Sequence, residues 1–201
     1  MVHARRVDVC DAGSVSTEFG VRRGKVFPAS KARSLLHPAR RLVQPPSRVV
    51  DKIGLASTAR VLEIGCGPGY FSPALAGAVP QGQAVLGDLQ HAMLDLARER
   101  LSGHERASTV QLDATSLPFR AEQFDAVLVV LMLGEVPERQ RCLSECRRVL
   151  RPGGVALFAE SRRDGDFISR PELQALVEPN GFQLDIVRGW FWEYTARFRA
   201  V

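Results

Sequence analysis

Short apolar runs alternate with amphipathic stretches along most of the chain, beginning at residue 59. The apolar runs that predict strands lie at 60–64, 84–87, 109–112, 125–133, 155–159, 183–188 and 193–198. The amphipathic stretches that predict helices lie at 69–78, 91–102, 137–150 and 171–179. The fourth run reads DAVLVVLML, which is typical of a strand buried on both faces of a parallel sheet.

This alternation predicts an α/β fold, a doubly wound, Rossmann-like three-layer sandwich. Its seven-stranded sheet should be mostly parallel, because strands separated by helices run in the same direction. Only a short turn separates the last two strands, so we expect an antiparallel last strand.

The region before residue 60 divides into two parts. Residues 1–28 lack periodic apolar spacing and predict a basic, poorly ordered N-terminal extension. Residues 29–201 predict a single domain that begins with lid helices at 29–57. The first helix is expected at 29–42, before Pro45-Pro46, and the second, with Val49, Val50 and Ile53 on one face, is expected to close at Gly54.

Length and composition exclude several classes of protein. The chain has 201 residues, of which 45% are hydrophobic and 24% are charged, and these values are typical of one globular domain rather than a disordered or collagenous chain. We expect no membrane-spanning helix and no secretory leader, and therefore a cytoplasmic protein. The four cysteines, Cys10, Cys66, Cys142 and Cys146, form no CxxC pair, so we predict no metal site.

Residues 61–69, VLEIGCGPG, are the most informative stretch. A predicted strand carries Glu63 and leads into Gly65, Gly67 and Gly69, before a predicted helix. The spacing differs from the dinucleotide-binding pattern G-x-G-x-x-G, since the third glycine position holds Tyr70. In open α/β sheets, ligands bind beyond the carboxyl ends of the strands, and glycines there allow close approach to the backbone.

Four segments in a fixed order carry a resemblance to a known family. They are LEIGCGPG at 62–69, GDLQHAML at 87–94, LDATSLPF at 112–119 and SECRRVLRPGG at 144–154. With them, the sequence resembles the class I S-adenosylmethionine-dependent methyltransferases over about residues 38–199. More narrowly, it is similar to the branch of ubiquinone/menaquinone C-methyltransferases and small-molecule methyltransferases.

The resemblance implies S-adenosylmethionine as the cofactor, S-adenosylhomocysteine as its product, and a set of residues that bind it. Glu63 would bind the methionine ammonium, Asp88 the ribose hydroxyls, and Asp113 the adenine amine. The other implied cofactor-binding residues are Gly65, Cys66, Gly67 and Gly69 in the loop, Leu89 and Ala114 at the adenine, and Leu131 near the sulfonium. Alternatives remain for two of them: Asp88 could cap a helix, and Asp113 could cap a short turn.

The resemblance requires no particular catalytic residue, because the cofactor supplies the reactivity and the protein supplies proximity and orientation. Glu135 and Glu160, after or at the end of predicted strands, are candidate general bases, although Glu135 could instead cap a helix or form an ion pair. His37 and Tyr194 are candidate substrate contacts. The methyl acceptor, its attacking atom and the oligomeric state stay open.

The implied function is transfer of a methyl group to a small-molecule acceptor by in-line displacement. Residues 1–60 carry twelve Lys/Arg and four Asp/Glu, whereas the remainder carries fifteen and eighteen. A basic arm can bind nucleic acid, so an RNA or protein methyltransferase is one alternative and a non-catalytic cofactor-binding protein is another. Nucleic acid is the less expected partner, because the chain lacks the motifs of amino-group and cytosine C5 methylation.

Overall fold

A seven-stranded sheet lies between two layers of helices in the computed structural model, which describes residues 26–201. The strands are β1 (Arg60–Ile64), β2 (Gln83–Asp88), β3 (Ala107–Gln111), β4 (Phe124–Val130), β5 (Leu150–Ser161), β6 (Phe182–Trp190) and β7 (Glu193–Ala200). The helices are α1 (Arg40–Val43), α2 (Pro46–Asp51), α3 (Ser72–Ala78), α4 (His91–Arg100), α5 (Arg139–Val149) and α6 (Arg170–Val177). Short 3-10 helices span Ala29–Leu36, Leu133–Glu135 and Glu178–Asn180.

The strand order is β3-β2-β1-β4-β5-β7-β6. Neighbours among β1 to β5 pair in parallel, whereas β7 is antiparallel to both β5 and β6. The predicted α/β sandwich with an antiparallel last strand is therefore confirmed. The order reverses at β1, whose neighbours are β2 and β4, and this reversal opens a crevice at the carboxyl ends of these strands.

Both faces of the sheet are covered by helices. In β1, Leu62 and Ile64 belong to the core layer that contains α5 and α6, whereas Val61 belongs to the layer that contains α2, α3 and α4. Burying one such side chain stabilises the fold by about 1.5–3 kcal/mol. Burial on both faces accounts for the uninterrupted apolar runs in the sequence.

The predicted helix at 29–42 is wrong in its middle. A 3-10 helix spans Ala29–Leu36, the backbone of His37 is extended with ψ 130°, and α1 begins at Arg40. The residue before a proline is driven out of the helical region by the proline ring, and Pro38 has this effect on His37. The second helix is present as α2 and its Val49 and Val50 are buried, but it ends at Asp51 with Lys52 as its C-cap, before the predicted end at Gly54.

Residues 1–25 of the predicted extension lie outside the described residues, whereas 26–28 are described. Within residues 26–201, no helix is long and apolar enough to cross a lipid bilayer. The same residues contain no group of three or more His, Cys, Asp or Glu that could hold a metal ion.

Candidate functional site

A cavity of about 740 Å³ lies at the carboxyl ends of β1, β2 and β4. Residues that directly follow these strands form its floor, among them Gly65, Leu89 and Leu131. The segment 26–44 lines it from the opposite side. The volume is in the range of small-molecule and cofactor sites, about 300–1,000 Å³, and its position is the one at which ligands bind open α/β sheets.

The loop after β1 is attached to the end of β2. The backbone N–H groups of Gly65 and Cys66 both donate to the carbonyl oxygen of Gly87, at 2.8 and 2.9 Å. The N–H of Gly67 donates to Asp88 Oδ2 at 2.8 Å. These bonds hold Gly65, Cys66 and Gly67 at the wall of the cavity.

The three glycines of this loop have different surroundings, although all have positive φ. A Cβ on Gly65 would lie 2.4 Å from Met132 Cγ, and one on Gly69 would lie 2.9 Å from Ala97 Cα. A Cβ on Gly67 would meet only Leu35 Cδ1, at 3.9 Å. Gly67 therefore faces the cavity, whereas Gly69, which does not line it, lets the loop pack on α4.

Glu63 is a buried carboxyl group at the cavity wall, only 2% exposed. Its Oε2 accepts a hydrogen bond from Ser72 Oγ at 2.8 Å. Burial raises the pKa of Glu63 to about 8, and the nearby charge of Asp88 acts in the same direction. A buried carboxylate is costly without a paired cation, so this group favours a cationic portion of a ligand.

The Asp88 carboxylate ends β2 and is oriented by two backbone groups. Oδ2 accepts from Gly67, and Oδ1 accepts from the N–H of Gln90 at 2.9 Å. Burial raises the pKa of Asp88, and these hydrogen bonds oppose the shift. The helix-capping alternative is not what the structure shows, because Gln90 is the N-cap of α4 and no side chain caps that helix. Each carboxylate oxygen of Asp88 can accept a further hydrogen bond. Asp88 lines the cavity.

Asp113 follows β3 and closes a tight turn. Its Oδ1 accepts from Thr115 N at 2.8 Å and from Thr115 Oγ1 at 2.7 Å. The turn-capping alternative is thus present in the structure. Asp113 nevertheless lines the cavity, together with the apolar group Leu89, Leu112 and Ala114.

A strap formed by residues 26–28 crosses from the end of β2 to the loop after β4. The N–H of Phe27 donates to Glu135 Oε2 at 3.2 Å, and Gln90 Nε2 donates to the carbonyl oxygen of Phe27 at 2.8 Å. Burial raises the pKa of Glu135 to about 7. The strap residues belong to the extension predicted from sequence, and Val26 and Phe27 line the cavity.

A family model and two curated proteins that are similar to this chain are all described as methyltransferases. A family model described as a methyltransferase domain matches residues 62–158. A demethylmenaquinone methyltransferase of Clavibacter sepedonicus is 40% identical over 101 residues, which are 50% of this chain and 40% of that protein. The ubiquinone/menaquinone biosynthesis C-methyltransferase UbiE of Hahella chejuensis is 36% identical over 115 residues, 55% of this chain and 46% of that protein. Residues 62–158 therefore match a methyltransferase domain, and these similarities support a class I S-adenosylmethionine-dependent methyltransferase.

The fold of a solved relative agrees with this family. A S-adenosylmethionine-dependent methyltransferase from Aquifex aeolicus superposes with a TM-score of 0.81 at 21% identity, covering 88% of this chain and all of that one. The matches to the two curated relatives span less than half of the relatives' own length.

The cavity fits S-adenosylmethionine, the cofactor of this family of methyltransferases. That molecule carries an ammonium group, a ribose diol, an adenine ring and a methyl sulfonium. The cavity offers the buried carboxylate of Glu63, the oriented carboxylate of Asp88, and apolar side chains beside Asp113. The raised pKa of Glu63 is the observation that favours a bound ammonium, because a cation there offsets the cost of burying the charge.

Arg40 is a residue of the site that the sequence analysis missed. Its guanidinium carbon lies 4.2 Å from the centre of the Tyr70 ring, and its nitrogens donate to the Leu35 carbonyl oxygen and to Gln44 Oε1. Burial lowers the pKa of Arg40. It places a positive charge on the wall of the cavity. No local motif marks it, because Tyr70 lies thirty residues further along the chain.

The structure does not bring Glu160, His37 or Tyr194 to the cavity. Glu160 is buried and accepts from the N–H of Ile168 at 3.3 Å. The hydroxyl of Tyr194 donates to the carbonyl oxygen of the same Ile168 at 2.7 Å, inside the core. His37 is exposed, and its Nδ1 accepts from Ala39 N. All three residues therefore make contacts within the protein, and none of them lies where it could contact a ligand in the cavity.

Glu160 should limit stability at alkaline pH. Burial raises its pKa to about 8 in the folded chain, above the 4.5 of an ordinary glutamate. The folded state therefore holds the proton more tightly than the unfolded state, and stability falls as pH rises from about 4.5 to 8. We expect Glu160→Gln to raise the melting temperature at pH 9 but not at pH 5, measured by thermal unfolding. A lower melting temperature at pH 9 would contradict this.

The two glycine environments predict unequal effects on stability. Alanine at position 67 or 69 meets the unfavourable positive φ, which costs about 1–2 kcal/mol. At position 69 the clash with the α4 backbone adds about 1–3 kcal/mol. Gly69→Ala should therefore lower the free energy of unfolding more than Gly67→Ala in urea titrations.

Gly103→Ala is the matched control, because Gly103 also has positive φ and a Cβ there would meet no atom within 4 Å. Equal losses for the variants at 69 and 103 would disprove the packing role of Gly69.

Proposed function

We propose that the chain transfers the methyl group of S-adenosylmethionine to a small-molecule acceptor. The observation that carries the proposal is the meeting of Glu63, Asp88 and Asp113 around one cavity, beside the glycine loop. The three side chains come from the ends of three adjacent strands, β1, β2 and β3. They provide one carboxylate each for the ammonium, the ribose diol and the adenine of the cofactor.

The proposed orientation follows the charges. Glu63 holds the ammonium, Asp88 accepts from the ribose hydroxyls, and Asp113 with the backbone of Ala114 binds the adenine edge. Arg40 supplies the positive charge that suits the methionine carboxylate, and its stacking on Tyr70 keeps it in place. Charge-assisted hydrogen bonds of this kind are about twice as strong as neutral ones.

The bound cofactor supplies an activated methyl group, and the chain's residues supply orientation and exclusion of water. Leu131 and Met132 line the cavity after β4. Leu131 has positive φ, at 51°, which is costly for leucine and is typical of residues constrained at functional sites. With the Phe27 strap above, these groups would enclose the reacting atoms, and fixed proximity can contribute about 7–11 kcal/mol to catalysis.

Glu135 is the proposed base for an acceptor that must lose a proton. It lines the cavity in the loop after β4, and burial raises its pKa to about 7. A group with that pKa is about half ionised at neutral pH and can take up a proton there. Glu160 is not proposed for this role, because its carboxyl group binds Ile168 away from the cavity.

Two observations favour a small acceptor. Residues of the segment 26–44 line the cavity, which limits the size of an acceptor that can reach the cofactor. The curated relatives are named for the methylation of menaquinone and ubiquinone precursors. We therefore propose an apolar aromatic acceptor of the quinol type as the first class to test.

The experiment is transfer of a labelled methyl group. The purified chain is incubated with methyl-labelled cofactor and, separately, with a naphthoquinol, a benzoquinol, total RNA and a protein extract. Label in a quinol product is the expected result, and it should disappear in Asp88→Ala. Label confined to RNA or protein would overturn the proposal, and binding without transfer to any acceptor would favour a non-catalytic protein.

A further inference from the structure

Large apolar side chains are exposed at one place beside the cavity. Trp190, Phe191 and Trp192 are 76%, 55% and 59% exposed, and Leu42 is 87% exposed. In the described part of the chain, the remaining exposed large apolar residue is Val201 at the carboxyl end. Adjacent exposed aromatics of this size mark an interaction surface.

Trp190 ends β6, and Phe191 and Trp192 form the turn that leads into β7. We name residues 190–192 the aromatic tip. The Phe191 and Trp192 rings lie 3.9 Å apart between centres. The N–H of Arg162 donates to the carbonyl oxygen of Trp192 at 2.7 Å, and Arg170 Nη2 donates to that of Gly189 at 2.6 Å. The tip is therefore braced from two sides while its rings stay exposed.

The aromatic tip stands at the same edge of the sheet as the cavity. Ser161, the last residue of β5, pairs with Glu193, and both line the cavity. Trp192 directly precedes Glu193. Leu42 lines the cavity as well, from the amino-terminal side. The apolar tip and Leu42 thus border one opening.

Most of the exposed charged side chains around the aromatic tip are arginines. Arg162 and Arg188 are exposed and do not line the cavity, whereas Arg163 is exposed and lines it. Of the acidic residues in this region, Asp166 is exposed and does not line the cavity, whereas Glu193 lines it and interacts with Arg163, Lys52 and Arg40. Asp164 also lines the cavity. A surface that approaches the tip from outside meets aromatic rings and guanidinium groups together.

We propose that the aromatic tip docks this chain on an anionic lipid surface, with the indole rings at the headgroup level. Tryptophan is enriched at membrane interfaces because its apolar ring and its N–H favour opposite sides of that boundary. Arginines beside it are attracted by anionic headgroups, at about 1 kcal/mol each near the surface. Docking in this orientation turns the cavity entrance toward the membrane.

The aromatic tip fits lipid better than single-stranded nucleic acid. Base stacking needs open ring faces, whereas Phe191 and Trp192 cover each other and the Arg162 guanidinium lies 5.8 Å from the Phe191 centre. Leu42 has no ring on which a base could stack. The docking is independent of the proposed function, but delivery of an apolar acceptor from the membrane rests on it.

The chain contains its own probe for this test. It has two tryptophans, and both are in the aromatic tip. Intrinsic tryptophan fluorescence of the full chain therefore reports on the tip alone. We expect a blue shift on addition of vesicles of phosphatidylcholine with one-quarter phosphatidylglycerol, and a smaller one with phosphatidylcholine alone. No shift with anionic vesicles, or a change with single-stranded RNA in place of vesicles, would overturn the proposal.

Variants identify the surface. Phe191→Ser keeps both tryptophans and should lower vesicle partition about tenfold, and Arg188→Gln should lower it about fivefold. Val201→Ser is the matched control, since it removes an exposed apolar side chain elsewhere, and it should leave partition unchanged. The double variant Trp190→Ser/Trp192→Ser has no tryptophan, so its vesicle binding is measured by co-sedimentation. Binding equal to that of the unmodified chain would assign docking to another part of the chain and disprove the role of the tip.

The two proposals fail in different assays. Cofactor affinity, measured by calorimetry without vesicles, should be the same in Phe191→Ser and the unmodified chain. Vesicle binding without methyl transfer to any acceptor would refute the proposed function and leave docking intact. Transfer to a soluble quinol without vesicle binding would refute docking alone.

Discussion

Replacing Asp88 by alanine is expected to weaken the binding of S-adenosylmethionine by one to two orders of magnitude. The change removes the acceptor proposed for the ribose hydroxyls. It also removes the carboxylate that holds the N–H groups of Gly67 and Gln90. Hydrogen bonds to a charged group contribute about 1.5–3 kcal/mol, which corresponds to about ten- to 150-fold in the dissociation constant. Isothermal calorimetry measures this directly.

Asp185→Asn is the control for the Asp88 variant. Asp185 is also an aspartate on a strand, but its carboxylate pairs with Arg197 and Arg199 and does not line the cavity. It should bind the cofactor with unchanged affinity. Equal affinities for Asp88→Ala and the unmodified chain would remove the ribose assignment.

The affinity for the cofactor should also rise with pH, through Glu63. Burial raises the pKa of Glu63 to about 8, so at pH 6 most molecules carry a neutral Glu63. Binding the ammonium requires the ionised form, and a proton is released when the complex forms. Below the pKa, the affinity should increase by about tenfold per pH unit between pH 6 and pH 7.5, while the α-amino group stays mostly protonated.

Glu63→Gln tests this dependence. The amide has no proton to release, so its affinity should be low and nearly independent of pH, with a residual slope from Asp88. Glu99→Gln, an exposed glutamate on α4, should retain the full pH dependence. Calorimetry in two buffers of different ionisation enthalpy counts the released protons. A steep pH dependence that persists in Glu63→Gln would assign the proton to another group.

The strands could be predicted from the sequence because both faces of each central strand are buried. β1 was predicted with its observed limits, since Arg60 and Gly65 bound an apolar run. The amino-terminal helix could not be predicted as well. Its apolar spacing is helical on both sides of His37, and the restriction that Pro38 imposes interrupts it.

Some of the cavity residues could be predicted from the sequence, and others could not. Glu63, Asp88 and Asp113 lie at the carboxyl ends of strands, so a linear motif can indicate them. Strand position alone does not determine which way a side chain points, because successive residues alternate between faces. Ser161 lines the cavity, whereas its neighbour Glu160 binds Ile168.

Arg40 and the Phe27 strap could not be found from local sequence. Their partners are distant along the chain, and Phe27 and Glu135 are 108 positions apart. Only the folded sheet brings these segments together. No periodicity or short motif records such a contact.

The strap also bears on how long a ligand stays bound. Phe27 is held through its N–H by Glu135 and through its carbonyl oxygen by Gln90, two side chains from different loops. A ligand seated between Glu63 and Asp88 would share the cavity that Phe27 lines. We therefore expect its residence time to depend on the two hydrogen bonds of Phe27, one of which involves a carboxyl group with a pKa of about 7. The rate at which the cofactor product is released should then depend on the amino-terminal segment as well as on the residues of the cavity wall.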